Sequence, residues 1–215
     1  IDAGELGEVY HVYVSFRSHR SIPGLGGAFT TKAIAGGGAL IDWGVHFLDI
    51  VMYCCGDPRP RTVTGEAFCR LGRNIGEYVY TDMWAGPPVP DGVYDVEDSV
   101  TAFIRTDGPT ITLNGAWAQN IGENEMFIDF IGDKAGIRLQ YGAGFTVYSA
   151  KDGVLLKTQP SFVMENHYEN EINDFVRCIR TKKPNAASID KAVITSRIMQ
   201  AIYESSDLHR EMVVV

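Results

Sequence analysis

The hydrophobic and polar positions of the chain predict strands around one buried helix, with two further helices at the end. Residues 9–16 are rich in β-branched and aromatic side chains, which is typical of a strand. Residues 39–55 are apolar at most positions and are followed by Gly56 and Pro58, which indicates a helix. Between them, residues 17–38 are rich in glycine, and a loop of this length usually serves a function or moves.

A series of strands is predicted after this helix. The candidates are residues 61–70, 99–106, 110–118, 125–131, 137–140, 145–149 and 154–157. Asp107-Gly108 is a good hairpin signal between two of them, and Lys151-Asp152-Gly153 is a further turn. Residues 72–94 show little periodicity and contain Pro87-Pro88, so we expect a loop there.

Two helices are predicted at the end of the chain. Residues 166–182 carry apolar side chains at helical spacing, namely Tyr168, Ile172, Phe175, Val176 and Ile179. The last helix begins after Ser188, the expected N-cap, runs to about residue 206, and precedes an edge strand at 212–215. Strands joined by hairpins form antiparallel sheets. We therefore expect an α+β fold in which residues 1–215 form one domain, with one large, mostly antiparallel sheet and helices on one face.

The strand at residues 125–131 predicts an open sheet face that packs against something else. One side of this strand carries Met126, Ile128 and Phe130, and the other carries Phe127 and Ile131. Helices can cover only one side, so the other is expected to contact a second subunit or domain, or else to lie under the long loops. The first interpretation predicts a homo-oligomer, either a dimer or a tetramer.

Composition and charge exclude several classes of protein. The 215 residues are 45% hydrophobic, an ordinary globular composition, and their net charge is −8. Nucleic-acid binding is not expected, because the only basic cluster is Lys182-Lys183. The longest apolar run, residues 39–55, is interrupted by charged residues, so no membrane association is expected. The four cysteines lack zinc-site spacing and no signal peptide is visible, so reduced thiols and a cytoplasmic location are expected.

The predicted helix at 39–55 carries a polar stripe. Asp42, His46, Asp49 and Tyr53 lie at i, i+4, i+7 and i+11 in an otherwise apolar segment. Three interpretations remain open from the spacing. The carboxylates hydrogen-bond His46 structurally, Asp42 and His46 are two ligands of a metal, or His46 is a general base that Asp42 orients.

The run GGGALIDWGVHFLD, residues 36–49, closely resembles the GGG-x-L-x-D-x-G-x-H-x-x-D signature of the Gfo/Idh/MocA oxidoreductases, the relatives of glucose–fructose oxidoreductase and inositol dehydrogenase. The resemblance extends along almost the whole chain. The other segments that carry it are Gly4 to Val9, Val96-Glu97-Asp98-Ser99, Ile131 to Gly136, Tyr168 to Phe175 with Pro184, and Ala201 to Ser206.

This resemblance implies the C-terminal domain of a two-domain enzyme, with the open sheet of a glyceraldehyde-3-phosphate dehydrogenase-like C-terminal domain. Such a domain supplies the substrate pocket and the oligomerisation sheet. The family's N-terminal Rossmann domain binds NAD or NADP, but this sequence contains neither a strand–GxGxxG–helix unit nor the family's E-K-P segment with its catalytic lysine. Residues 1–7 read like the end of a helix. We therefore expect a fragment that is inactive alone.

The resemblance also implies roles for individual residues. His46 matches the catalytic histidine, and Asp42 matches its acidic partner, which binds the reacting hydroxyl. Candidates for the surrounding substrate shell are Lys32, Trp43, Arg20 and Asn120. The backbone of Gly36, Gly37 and Gly38 would allow close approach of the cofactor. No metal is expected.

Two functions from different classes follow. The first is the substrate domain of an NAD(P)-dependent dehydrogenase that transfers hydride between nicotinamide and a hydroxyl carbon of a sugar, a cyclitol such as inositol, or a related polyol. The alternative is a non-catalytic sugar-binding or assembly module on the same fold. A metal-dependent lyase or hydrolase has less support, because the sequence shows no second cluster of metal ligands.

Overall fold

The chain folds into one large sheet with helices against one face. The structure, a computed structural model, describes residues 1–81, 83–163 and 165–215. The strands are β1 (Val9–Arg17), β2 (Pro60–Phe68), β3 (Ser99–Thr106), β4 (Thr110–Ala116), β5 (Glu125–Gly132), β6 (Ala135–Gln140), β7 (Gly144–Lys151), β8 (Val154–Thr158) and β9 (Met212–Val213). The helices are α1 (Lys32–Ala35), α2 (Val45–Cys54), α3 (His167–Thr181) and α4 (Ile189–Leu208); a π-helical turn (Leu40–Gly44) leads directly into α2.

The strand order confirms a mostly antiparallel α+β fold. The nine described strands lie in the order β8-β7-β6-β5-β1-β4-β3-β2-β9. Consecutive strands from β5 to β8 pair as hairpins, and so do β3 and β4 across Asp107-Gly108, as predicted. The first strand instead lies in the middle, antiparallel to β5 and parallel to β4. The predicted C-terminal edge strand is present as β9, paired with β2.

The helix-covered face of the sheet is built by alternating apolar residues. Val12, Val14 and Phe16 of β1 are fully buried and pair in register with Phe130, Ile128 and Met126 of β5. Ile111 and Leu113 of β4 and Ile198 and Ile202 of α4 are fully buried in the same core. Full burial of one such side chain is worth about 1.5–3 kcal/mol. This period-two pattern fixes which face of the sheet the helices cover.

The α3 helix departs from the expectation that the helices lie against the sheet. Asn166 caps its N-terminus by accepting a 3.2 Å hydrogen bond from the amide of Glu169. Its buried residue is Cys178, whereas the predicted apolar stripe faces solvent. Tyr168, Ile172, Phe175 and Ile179 are each more than half exposed. The amphipathic pattern therefore predicted a helix correctly. No surface among the described residues covers its apolar stripe.

Several local expectations are corrected. Ser188 stands at the N-cap of α4, but its side chain makes no capping hydrogen bond; its carbonyl accepts from the amide of Lys191 instead. Residues 1–7 form turns in which Gly4 and Gly7 have positive φ, and they contain no helical residue. The long loop 17–38 contains α1 and a short 3₁₀ turn (Ala28–Thr30), and the loop 72–94 contains another (Ile75–Glu77). Asp82 of that loop lies outside the described residues.

The open face of the sheet is more polar than the sequence predicted. Phe127 lies on it as expected, with its ring 5.9 Å from that of Tyr13. The same strand, β5, also places Glu125 and Asp129 on this face. Glu125 lies 2.7 Å from the guanidinium of Arg17, and Asp129 accepts two hydrogen bonds from Arg138. The charges of this face are therefore largely paired within the chain.

The stretch Lys32–Cys54 is long and apolar enough to span a membrane by length and composition alone. It is not a continuous helix, because α1 ends at Ala35 and Gly36 has a φ of +81°. Leu48, Val51 and Met52 are buried in the core. The contact with the sheet explains the apolar composition of this segment.

Gly115 should be intolerant of any side chain, because a Cβ at this position would overlap the ring of Phe16. We expect Gly115→Ala to lower the free energy of unfolding by about 1–3 kcal/mol through overpacking. Urea denaturation measures this loss. Gly122→Ala is the matched control: its Cβ would meet nothing within 4 Å, and its change should stay within about 0.5 kcal/mol. Equal effects of the two substitutions would contradict the packing argument.

Candidate active site

A buried carboxylate holds the start of the helical segment that carries the polar stripe. Glu97 is 7% exposed and accepts hydrogen bonds from the amides of Gly38 and Leu40, each 2.9 Å long. The hydroxyl of Tyr203, on α4, donates a third bond of 2.9 Å. Burial raises the pKa of Glu97, and these donors oppose that shift by favouring its charged form. Free amides at a helix start need such acceptors, so Glu97 anchors the segment from outside it.

The glycine triplet has a structural explanation at two of its three positions. A Cβ on Gly37 would overlap the hydroxyl of Tyr203, and one on Gly38 would overlap the carbonyl oxygen of Glu97. Both glycines are buried. The side-chain directions of Gly37 and Gly38 are therefore filled by Tyr203 and Glu97. Gly36 is exposed and has nothing within 4 Å of its would-be Cβ. The close approach of a cofactor to the backbone of the triplet stays a prediction.

The neighbouring Asp98 fixes the loop beside the site. It is fully buried, and its Oδ2 accepts from the amides of Arg70, Leu71 and Gly72 at 2.6–3.0 Å. Its own carbonyl accepts from the amide of Trp117 at 2.9 Å. The Glu97-Asp98 pair thus ties together the start of the helix, the end of β2 and the end of β4.

Asp42 is held by an indole. It lies in the π-helical turn, and its Oδ2 accepts a 2.9 Å hydrogen bond from Nε1 of Trp117, which is fully buried. Burial raises the pKa of the Asp42 carboxyl, whereas the Trp117 hydrogen bond and the nearby His46 lower it. His46 follows one turn later on α2 and is exposed. Single π turns inside helices often occur at functional sites.

Asp42 and His46 line one cavity, whose volume is about 410 Å³. The other residues that line it are Trp43, Phe47, Met126 and Tyr141. The arrangement places one acid and one imidazole against a wall of aromatic and apolar side chains. Ligand pockets commonly have this character, with a few polar groups that set the orientation of the ligand.

The remaining members of the stripe turn away from this cavity. Asp49 and Tyr53 are exposed, and Tyr53 lines a different, mostly apolar groove of about 550 Å³. This groove also contains Phe130, Ile137, Leu139 and Phe145. Only Asp42, Trp43 and His46 of the sequence-predicted site residues therefore share the 410 Å³ cavity in the described part of the chain.

The other shell candidates occupy separate positions. Arg20 donates to the carbonyls of His19 and Gln119 and to Oδ1 of Asn120, the last bond measuring 2.6 Å. It lines a second cavity, of about 360 Å³, with Tyr80 and other residues. Lys32 is exposed, and its backbone amide donates to Asp95. The structure therefore pairs Arg20 with Asn120 but does not bring either to His46.

Three residues with direct contacts at the site were not identified from the sequence as site residues. These are Glu97, Trp117 and Tyr141. Glu97 belongs to the Val96–Ser99 segment that carries the family resemblance, which was the available signal. Trp117 and Tyr141 come from the ends of β4 and β6, and no local pattern relates them to Asp42. Across residues 1–81, 83–163 and 165–215, no group of three or more His, Cys, Asp or Glu could hold a metal ion.

The open nine-stranded sheet with its glycine-led helix is the fold of the C-terminal domains of Gfo/Idh/MocA-type oxidoreductases. The sequence agrees, since the model of the GFO/IDH/MocA C-terminal domain matches residues 1–138. The chain therefore belongs to the Gfo/Idh/MocA family. This confirms the family that the residue motifs indicated.

Individual relatives support the same assignment. The chain is 30% identical to D-glucoside 3-dehydrogenase of Escherichia coli (strain K12) over 209 residues, which are 95% of this chain and 56% of that protein. A crystal structure of an NAD binding oxidoreductase from Klebsiella pneumoniae superposes with a TM-score of 0.80 at 18% identity, covering 100% of this chain and 61% of that one. Levoglucosan dehydrogenase in complex with NADH and levoglucosan gives a TM-score of 0.78 at 18% identity, covering 99% and 60%.

The chain spans little more than half the length of these relatives. At this low identity the superposed structures show the fold alone. The names of the relatives are those of dehydrogenases and oxidoreductases and do not favour the non-catalytic alternative.

Glu97→Gln should destabilise the domain, because the glutamine amide turns a donor toward backbone amides that need an acceptor. We expect a loss of about 1–3 kcal/mol for each buried donor left unpaired, measured by urea denaturation. Tyr203→Phe is the control: it removes one donor and leaves the two helix amides bound, so about 1 kcal/mol is expected. A Glu97→Gln loss no larger than that of the control would show that the charge on Glu97 is not needed.

Proposed function

We propose that the full-length protein is an NAD(P)-dependent oxidoreductase that transfers hydride between nicotinamide and a hydroxyl carbon of a sugar or related polyol. This domain supplies the substrate pocket and the acid–base pair. The observation that carries the proposal is the fixed position of Asp42, held by Trp117, beside His46 in the wall of one cavity. The proposed family roles of these two residues agree with that geometry.

His46 is proposed to move the proton of the reaction. When an alcohol is oxidised, its carbinol carbon loses hydride and its oxygen loses a proton as the C–O bond becomes a carbonyl. An imidazole is suited to accept that proton, since it ordinarily titrates near neutrality. His46 is exposed at the cavity, so it is accessible to a substrate hydroxyl. In the reverse direction it returns the proton to the carbonyl oxygen.

Asp42 is proposed to orient the reacting hydroxyl and to stabilise positive charge on His46. The indole of Trp117 donates to Oδ2 of Asp42 and leaves Oδ1 available to the substrate. Its charged form is also favoured by His46, one helical turn away. Burial opposes ionisation at the same time, which keeps this carboxylate responsive to a charge that develops nearby.

The bound nicotinamide would accept or supply the hydride. The sequence contains no strand–GxGxxG–helix unit, so we place the dinucleotide site, for NAD or NADP, mainly on the Rossmann domain proposed for the full-length protein. The residues present fit a partial role: they hold the substrate and its proton, and the isolated chain should show no turnover. Backbone contact of the cofactor with Gly36, Gly37 and Gly38 stays part of the proposal, and Gly36 is the exposed one of the three.

The substrate class is proposed from the cavity and from the relatives. D-glucoside 3-dehydrogenase carries a glucoside in its name, and the matched levoglucosan dehydrogenase structure contains levoglucosan and NADH. A cavity with one carboxylate, one imidazole and aromatic walls suits a ring that presents both hydroxyls and C–H groups. Arg20 and Asn120, joined by a 2.6 Å hydrogen bond, are proposed only for an outer polar rim of the substrate site. Lys32 is proposed for the same rim.

Three exposed surfaces support further parts of the proposal. The apolar stripe of α3 and the groove lined by Phe130, Leu139 and Phe145 are surfaces that a neighbouring domain of the longer protein would cover. The open sheet face, with Tyr13 and Phe127 among paired charges, is proposed as the homo-oligomer interface.

The four cysteines are all free thiols, which is in keeping with the proposed cytoplasmic location.

In the full-length protein, His46→Ala should lower turnover of a glucoside by about 10² or more, because the proton acceptor is lost. Steady-state kinetics with NAD or NADP measure the turnover. Asp49→Asn is the control, since Asp49 lies on the same helix and is exposed outside the cavity. A near-normal rate for His46→Ala would remove His46 from the base role.

Phe127→Glu should weaken self-association of the full-length protein, because it adds charge to a sheet face proposed to be buried between subunits. We expect a dimer or tetramer for the wild type and a lower molar mass for the variant, measured by light scattering. Val154→Glu is the control: Val154 is 57% exposed on the β7–β8 hairpin, at the sheet edge. A monomeric wild type would contradict the proposed interface.

A further inference from the structure

The cavity beside Asp42 and His46 has an aromatic wall that the acid–base proposal does not use. Tyr141 contributes to this wall and is 45% exposed. A tyrosine that only completed the core would be largely covered. Its position opposite an acid and an imidazole therefore raises the question of what its ring contacts.

One face of the Tyr141 ring is supported from within the protein. It stacks on Phe47, with ring centroids 4.8 Å apart and planes inclined by 23°. Phe47 is only 2% exposed and packs in turn on Phe16, at 5.1 Å between centroids. The aromatic column is thus rooted in the core, and the accessible surface of Tyr141 belongs to the face and edge turned away from Phe47.

The backbone also holds Tyr141 in place. The tyrosine follows β6, and its amide donates a 3.0 Å hydrogen bond to the carbonyl of Met126, another residue of the cavity wall. The turn into β7 continues through Gly142, whose φ is +76°, a value that favours glycine. A 3.0 Å bond from Ala143 to Gln140 closes this turn. The ring is therefore fixed at the end of the sheet rather than carried on a long loop.

We propose that Tyr141 is a specificity-determining residue whose exposed ring face forms a platform for the C–H face of a pyranose ring. The inference rests on the proposed function and names which sugars the site prefers. The face of an aromatic ring is electronegative and attracts the partly positive hydrogens of C–H groups. A pyranose stacked on Tyr141 turns its hydroxyls toward the rim of its own ring, where Asp42 and His46 can reach one of them.

This platform selects ring sugars over open-chain polyols. A cyclic glycoside presents several C–H groups on one side at once and loses little conformational freedom on binding. An acyclic polyol must first be ordered into such a shape, which costs entropy. The full-length protein should therefore favour a glycoside such as methyl β-D-glucoside over sorbitol, and Tyr141 should supply a large part of that preference.

The test compares three substitutions in the full-length protein. Tyr141→Ala should raise the KM for methyl β-D-glucoside about tenfold or more, with kcat within about threefold of the wild type, since the acid–base pair is untouched. Tyr141→Phe keeps the platform and should behave like the wild type. Tyr141→Leu keeps bulk against Phe47 without an aromatic face, so it should resemble Tyr141→Ala even if the alanine variant is less stable.

Tyr148→Ala is the control for loss of an exposed tyrosine. Tyr148 is also 45% exposed, lies on the adjacent strand β7 and is not part of this cavity. Its substitution should leave the KM unchanged. Unaltered KM values for both Tyr141→Ala and Tyr141→Leu, in an enzyme that oxidises the glucoside, would overturn the platform while leaving the proposed function intact.

A binding measurement separates the two proposals if turnover fails. Saturation-transfer NMR of methyl β-D-glucoside with the full-length protein should show the strongest transfer to the ring C–H protons of one sugar face, and Tyr141→Ala should weaken this transfer and remove its preference for one face. Such binding without any NAD(P)-dependent turnover would refute the proposed function and support the platform. Absence of transfer in the wild-type protein, or equal transfer in the Tyr141→Ala variant, would overturn the platform.

Discussion

The interaction on which the site depends is the buried carboxylate of Glu97. It connects three parts of the fold that are distant in sequence: the glycine-led start of the helical segment at Gly38 and Leu40, the strand entry at its own position, and α4 through Tyr203. Two positions before the helix need glycine, because the backbone carbonyl of Glu97 comes close to Gly38 and the hydroxyl of Tyr203 comes close to Gly37. Without an acceptor at Glu97, the turn that carries Asp42 would have free amides in the protein interior.

A second contact, between Trp117 and Asp42, fixes the orientation of the Asp42 carboxylate. Trp117 lies just beyond β4 and donates to Asp42, while its own backbone is bound to the carbonyl of Asp98. The adjacent residues Glu97 and Asp98 therefore both help to position Asp42. The Glu97 carboxylate binds the start of the helical segment, and the Asp98 carbonyl binds the backbone of Trp117, whose indole binds Asp42. This arrangement leaves His46 exposed beside a carboxylate whose position is set by the sheet.

The surfaces of the domain differ in what covers them. The face covered by α2 and α4 makes the core, and the cavity lies at the start of β5 and the end of β6, where Met126 and Tyr141 lie beside α2. The opposite face carries paired charges with aromatic rings between them, and α3 and the groove near Phe130 are exposed apolar surfaces. These are the surfaces for which we propose a neighbouring domain or a second subunit.

The local pattern of residues by itself determined much of this protein. The β-branched and aromatic residues of β1, the alternation in β4 and β5, the Asp107-Gly108 hairpin and the amphipathic spacing in α3 are effects of neighbouring residues, and they predicted the element types and the antiparallel sheet. The family was indicated by the resemblance of short motifs, above all residues 36–49. The i, i+4 spacing brought Asp42 and His46 to one side of a helix for the same reason. Only the tertiary structure decided what surrounds them, since Trp117 binds Asp42 from 75 positions away and Glu97 binds the amide of Leu40 from 57 positions away. Tyr141 joins the same cavity from the end of β6. Likewise, helical spacing defines an apolar stripe on α3, but whether anything covers it depends on the surface opposite, which no local pattern encodes.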